Sequence, residues 1–138
     1  MPGNIDEFEL YCQSEPPEAR ESLGPVRQLI LDAVARLSEG RVHFYLIYHF
    51  GGGAVAKLHL GAKQRVDITF VTGEDLTDPE KLLKGSSSVR TIKVTSAAFL
   101  EKHREASNDL ERQSFALISE RFDGFEHFIT LRPDQPSP

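Results

Sequence analysis

The hydrophobic pattern of this chain changes its period near residue 40, and this change constrains the fold more than any other feature. Between Val42 and Thr95 apolar and polar residues alternate within short segments, whereas the flanking regions keep a spacing of three or four. Alternation with a period of two is typical of β-strands that bury one side. Glycine-containing turns divide the segment, so it is predicted to form an antiparallel meander. The predicted strands are 42–50, 54–60, 65–71 and 89–95.

The segments on either side of the meander are predicted to be helical. Apolar residues recur at helical spacing from Pro17 to Leu37, and Gly40 follows as a glycine stop. A second long helical stretch starts at Ser96, which can cap it, and ends near Gly124. Phe125–Leu131 alternates weakly, which leaves open an additional edge strand.

These patterns together predict an α+β fold with two layers. We expect a four- to five-stranded antiparallel meander sheet with the N- and C-terminal helices packed on one face. At 138 residues the chain fits a single domain with its own core. We assign residues 1–131 to this domain and expect the proline-rich residues 132–138 to form a disordered tail.

Composition argues against several classes of protein. A net charge of -5 with scattered basic residues disfavours nucleic-acid binding. No apolar run approaches the roughly 20 residues of a membrane span, and the acidic N-terminus lacks the features of a signal peptide. The single cysteine, Cys12, excludes an internal disulfide and fits a reducing compartment. We therefore expect a cytoplasmic protein with no nucleic-acid or membrane partner.

The turn lengths predict a register that gathers polar side chains on one face of the sheet. If Phe50 faces Ala54 and Gly61 faces Arg65, two rows of side chains cross three strands on the face away from the helices. The first row is Tyr45, His59 and Asp67, and the second is Ile47, Lys57 and Thr69. The candidate ligand-binding residues are Tyr45, Lys57, His59, Asp67 and Thr69.

Several functions are compatible with this polar face. His43, His59 and Asp67 are candidate metal ligands, since imidazole and carboxylate groups commonly bind metals together. A solvated face, a small-ligand site and a homodimer interface also fit the pattern, and the interface would use Tyr45, Ile47, Val55 and Val71. No Ser or Cys falls in the row of His59 and Asp67, so no nucleophilic triad is predicted and we expect no catalytic residues.

Three further segments carry a resemblance to a known family. They are Ile5-Asp6-Glu7-Phe8 followed by Pro16-Pro17, then Leu76–Gly85 (LTDPEKLLKG), and then Val89–Val94 (VRTIKV) followed by Ser96–Phe99 (SAAF). With these segments in this order, the chain resembles the YdhG-like family of small uncharacterised proteins, up to about Ile118. The resemblance implies a frataxin-like, YjbR/CyaY-like arrangement in which helices cover one side of an antiparallel sheet.

The same resemblance implies a function. It favours a non-catalytic protein that binds a small ligand or a metal, with iron or another divalent metal as the implied cofactor. A homodimerising or protein-interaction module is the alternative, and an undetected enzyme is the third interpretation. The turn at His49–Gly53 and the serines at 86–88 depart from the family pattern, so the resemblance carries no ligand site through those two loops.

Overall fold

The computed structural model describes residues 7–42, 45–61 and 65–130, with side chains up to residue 120. Its helices are α1 (Glu7–Gln13), α2 (Ala19–Ala33), α3 (Ala97–Lys102) and α4 (Arg104–Thr130). Its strands are β1 (Ser38–Val42), β2 (Tyr45–Phe50), β3 (Gly53–Leu60), β4 (Val66–Phe70), β5 (Leu83–Lys84) and β6 (Arg90–Val94). The strands form one antiparallel sheet in the order β1-β2-β3-β4-β6-β5.

All four helices contribute to a core on one side of this sheet. Tyr11 of α1, Leu23 of α2, Leu100 of α3 and Leu110 of α4 belong to the same buried cluster as Ile68 at the centre of the sheet. Tyr11 also accepts a hydrogen bond at its hydroxyl from the backbone N–H of Leu60, 3.0 Å away. The predicted α+β, two-layer fold is therefore confirmed, with six strands instead of four to five.

The predicted register is confirmed across the middle of the sheet. Ile47 pairs with Lys57, and Lys57 pairs with Thr69, while His59 pairs with Asp67. Leu46 pairs with Leu58, and one residue further along each strand Tyr45 lies beside His59. One continuous row crosses all six strands, and it consists of Gly40, Ile47, Lys57, Thr69, Thr91 and Lys84.

The register differs from the prediction at the turn between β2 and β3. Phe50 pairs with Gly53 instead of Ala54, and the pairing shifts between Tyr48 and His49. The shift leaves Val55 as the extra residue of a β-bulge, where it is fully buried, so its predicted place in an exposed dimer interface is wrong. A bulge leaves a backbone group without a ladder partner, and here the Ser114 hydroxyl donates to the Val55 carbonyl oxygen at 2.7 Å.

The predicted end of the second helix is wrong. Helix α2 ends at Ala33, Val34 is already extended, and Ser38–Val42 forms the edge strand β1. The strand is favoured because it pairs with β2 and brings the carboxylate of Glu39 to Arg27 and Tyr48. This carboxylate accepts hydrogen bonds from Arg27 at 2.7 and 3.0 Å and from the Tyr48 hydroxyl at 2.6 Å.

The C-terminal region is helical from Ala97 to Thr130 except at His103, which lies between α3 and α4. The predicted cap is confirmed, since the Ser96 hydroxyl accepts a hydrogen bond from the Phe99 backbone N–H at 3.0 Å. The additional edge strand is wrong for residues 125–130, because α4 continues to Thr130. A glycine inside a helix costs only about 1 kcal/mol, so Gly124 does not end it. Leu131 and the predicted tail at 132–138 lie outside the described residues.

Candidate functional site: the open face of the sheet

The face of the sheet opposite the core is reached by solvent, and we call it the open face. It consists of Val42, Tyr45, Ile47, Lys57, His59, Arg65, Asp67, Thr69, Lys84, Thr91 and Lys93. Each of these side chains is half-buried or exposed, whereas their strand neighbours Leu46, Leu58, Ile68 and Ile92 are all fully buried. The five candidate ligand-binding residues therefore lie on one accessible surface.

Pairwise contacts organise the polar groups of the open face. The Lys57 ammonium lies 4.9 Å from the centre of the Tyr45 ring, which is a cation–π contact. The hydroxyl oxygens of Thr69 and Thr91 are 3.1 Å apart and share a hydrogen bond between neighbouring strands. Such cross-strand pairs hold side chains in place on a sheet without covering them.

The open face is positively charged although the chain carries a net charge of -5. It holds four basic side chains and one acidic one, an excess of three positive charges. The acid is Asp67, whose two oxygens lie 2.8 and 3.1 Å from the guanidinium of Arg65. Because Asp67 is engaged with Arg65, the charges of Lys57, Lys84 and Lys93 dominate the field above this face.

The predicted metal ligands do not form a coordinating group in the described part of the chain. His59 is exposed, and Asp67 directs both oxygens to Arg65. Among residues 7–42, 45–61 and 65–120, no group of three or more His, Cys, Asp or Glu side chains could hold a metal ion. His43 lies outside the described residues, so the metal site stays a prediction.

The cysteine lies on the other side of the sheet from the His59–Asp67 pair. Cys12 is 4 % exposed and belongs to the core cluster, packed with Phe8 and Tyr11 of the same helix. The hydroxyls nearest in register on the open face, those of Thr69 and Thr91, are hydrogen-bonded to one another. The open face therefore offers groups that bind, and it sets no described nucleophile beside His59.

Helix α4 carries a buried polar cluster that was not predicted from the sequence. Ser107, Glu111 and Ser114 are fully buried, and they lie four and three residues apart on one side of the helix. Ser114 donates to Val55, so the Thr72 hydroxyl, 2.8 Å from it, is the donor in that pair. The spacing of Ser107, Glu111 and Ser114 within the apolar stripe was the available sequence signal.

Glu111 is the least satisfied member of this cluster. Within the described residues neither carboxyl oxygen has a hydrogen-bond partner, and the Ser107 hydroxyl also has none. Burial raises the pKa of Glu111 well above its ordinary value of 4.5, because a charged carboxylate is disfavoured away from water. Its burial separates this group from the open face.

Two observations on the whole chain complete the description of the site. In the part of the chain that the structure describes, no helix is both long and apolar enough to cross a membrane. No family model matches the chain, and no curated protein or solved structure matches it significantly.

Proposed function

We propose that this chain is a non-catalytic binding domain whose open face takes an acidic protein surface. The observation that carries the proposal is the excess of positive charge on an accessible sheet face in an otherwise acidic chain. Membership of the YdhG-like family, iron binding and a cytoplasmic location stay predictions.

The lysines are spread widely enough to match a protein surface. Lys57 and Lys84 lie in the same row and are separated by three strand spacings, or about 14 Å. Lys93 lies one row away, on the strand next to that of Lys84. A partner with several carboxylates would meet all three, whereas a small ligand would reach one or two.

The surface between the lysines also suits an acidic protein partner. Tyr45, Ile47, Thr69 and Thr91 supply aromatic, apolar and hydroxyl contacts, and each is half-buried. Apolar and aromatic groups surrounded by polar ones are typical of protein interfaces. Opposite charge across such an interface accelerates association and suppresses wrong partners.

Charge also distinguishes this proposal from a homodimer through the open face. A twofold interface brings the same surface of both copies together, so two sets of lysines would face each other. Like charges across an interface are unfavourable unless acidic groups compensate them. On this face the acid is Asp67, and Arg65 already holds it.

The test is fluorescence anisotropy with a labelled glutamate-rich peptide, compared with a peptide in which glutamine replaces each glutamate. We expect saturable binding of the acidic peptide that weakens with added salt. The double variant Lys57→Glu/Lys93→Glu should weaken it about tenfold or more, since each exposed charge pair contributes up to about 1 kcal/mol.

The control variant is Lys102→Glu, which reverses an exposed charge at the end of α3, away from the open face. It should change the affinity less than about twofold. Equal losses in both variants, or equal binding of the glutamine peptide, would contradict the proposal. Light scattering of the wild type and of Tyr45→Glu tests the dimer, and a dimer that Tyr45→Glu dissociates would favour self-association instead.

A further inference from the structure

A cavity of about 250 Å³ lies at the end of the sheet, on the side of the helices. Its floor is apolar and consists of Val26 of α2, the paired residues Val66 and Val94, and Leu100 of α3. Each of these four side chains is at most 5 % exposed. The cavity belongs to the covered side of the sheet and is separate from the open face.

The local sequence explains why space remains there. Val66 begins β4 and Val94 ends β6, so the sheet stops at the cavity. The chain then turns away at Ser96, whose hydroxyl caps α3 by accepting the Phe99 N–H. On the opposite wall, Pro25 lies inside α2 and has no N–H to donate to the Glu21 carbonyl four residues earlier.

The rim carries one carboxylate together with neutral hydroxyl groups, which both donate and accept hydrogen bonds. Among the described residues that line the cavity, Glu21 is the charged one and none is basic. Within the described residues, the Glu21 carboxylate forms no ion pair. Its own carbonyl oxygen and the hydroxyl of Thr95 add neutral acceptors nearby. A molecule that binds here gains most from an apolar body and a positively charged, hydrogen-donating head.

We propose that this cavity is a binding site for a small apolar amine. The apolar body lies against Val66 and Val94, and the ammonium group pairs with Glu21 at the rim. An apolar cavity of about 150 Å³ is enough to hold benzene, so this cavity has room for one ring with a short chain. The site does not depend on the function proposed for the open face.

The experiment is a titration of the full-length chain, labelled at its valine methyl groups, with phenethylamine at neutral pH. Phenethyl alcohol is the matched probe, because it has the same ring and chain with an uncharged head. We expect saturable shifts of the Val66 and Val94 methyl signals below about 10 mM, the range usual for a ligand of this size. The alcohol should bind about two- to fivefold more weakly, which is the effect of one partly exposed ion pair.

Two pairs of variants locate the site. Ala97→Phe fills the mouth of the cavity, whereas Ala98→Phe changes a neighbouring exposed alanine that does not line it. We expect the first to abolish binding and the second to preserve it. Glu21→Gln should remove the preference for the amine, and Glu18→Gln, one turn earlier and outside the cavity, should keep it.

The proposal is overturned if no saturable shift occurs in that range, or if Ala97→Phe and Ala98→Phe bind equally. Equal binding of the amine and the alcohol by the wild type would overturn the choice of ligand. That comparison needs no variant, so it decides the question even if Ala97→Phe fails to fold.

Discussion

The two faces of the sheet are built from the same strands and differ in almost every physical property. In β4, Val66, Ile68 and Phe70 are at most 1 % exposed and belong to the core, while Asp67 and Thr69 between them face solvent. The covered face excludes water, and the open face presents charge and hydroxyl groups. Alternation along each strand therefore separates the residues that stabilise the fold from those available for binding.

The largest difference in the free energy of unfolding is expected between variants of two adjacent residues of β4. Ile68→Ala removes fully buried apolar volume from the centre of the sheet and should lower the free energy of unfolding by about 3–4 kcal/mol. Thr69→Ala removes a half-exposed hydroxyl and its bond to Thr91, and should cost less than about 1 kcal/mol. Urea denaturation of both variants measures the two values. Similar losses would show that the open face contributes to stability as strongly as the core.

The second prediction compares two ion pairs. Glu39→Ala should cost about 2–3 kcal/mol, because the buried Tyr48 hydroxyl loses its acceptor and Arg27 loses its hydrogen bonds to the carboxylate. Burial, followed by the bond to Glu39, raises the pKa of Tyr48, which is the expected signature of a hydroxyl beside a carboxylate in a dry environment. Thermal and urea unfolding give the change in stability.

The control for this pair is Glu9→Ala. Glu9 binds Arg20 on the surface, where the two side chains are 41 and 48 % exposed, against 13 % for Glu39. Solvent screening limits the surface pair to less than about 1 kcal/mol. If Glu9→Ala destabilises the protein as much as Glu39→Ala, burial is not the reason that the Glu39 contacts stabilise the fold.

Much of the sheet could be predicted from the sequence, because the period of two and the turn lengths act over short distances. The rows through Lys57 and His59 followed from those local features. The bulge at Val55 did not, because the hydrogen bond that compensates it comes from Ser114, 59 residues away. Strand β1 was not predicted, because Leu37 continues the helical spacing and the bonds of Glu39 to Arg27 and Tyr48 form only in the folded chain.

For the candidate site, the sequence predicted which residues share a face but not how their side chains pair. The alternation placed Tyr45, Lys57, His59, Asp67 and Thr69 on one face, and the structure brings them together there. The sequence could not indicate that Arg65 would engage Asp67, since ion pairing depends on side-chain geometry. Nor could it distinguish Glu111, which is buried, from the other acids of α4.

The smallest predicted effect on stability concerns Glu111, a buried carboxyl on the covered face. Because its pKa is raised in the folded state, folding binds a proton there that the unfolded chain releases above pH 4.5. Below that pH the free energy of unfolding does not depend on the ionisation of Glu111. It falls as the pH rises toward the folded-state pKa of Glu111, by at most about 1.4 kcal/mol per pH unit.

Glu111→Gln removes this loss, because an amide does not ionise. We expect the variant to match the wild type in mild acid and to exceed it at neutral pH by about 1 kcal/mol or more. Unfolding curves measured across the pH range test this, and Glu105→Gln, an exposed position on the same helix, is the control. A variant less stable than the wild type at neutral pH would mean that the carboxylate has a compensating partner. The covered face would then hold its carboxylate in a pair, as the open face does for Asp67.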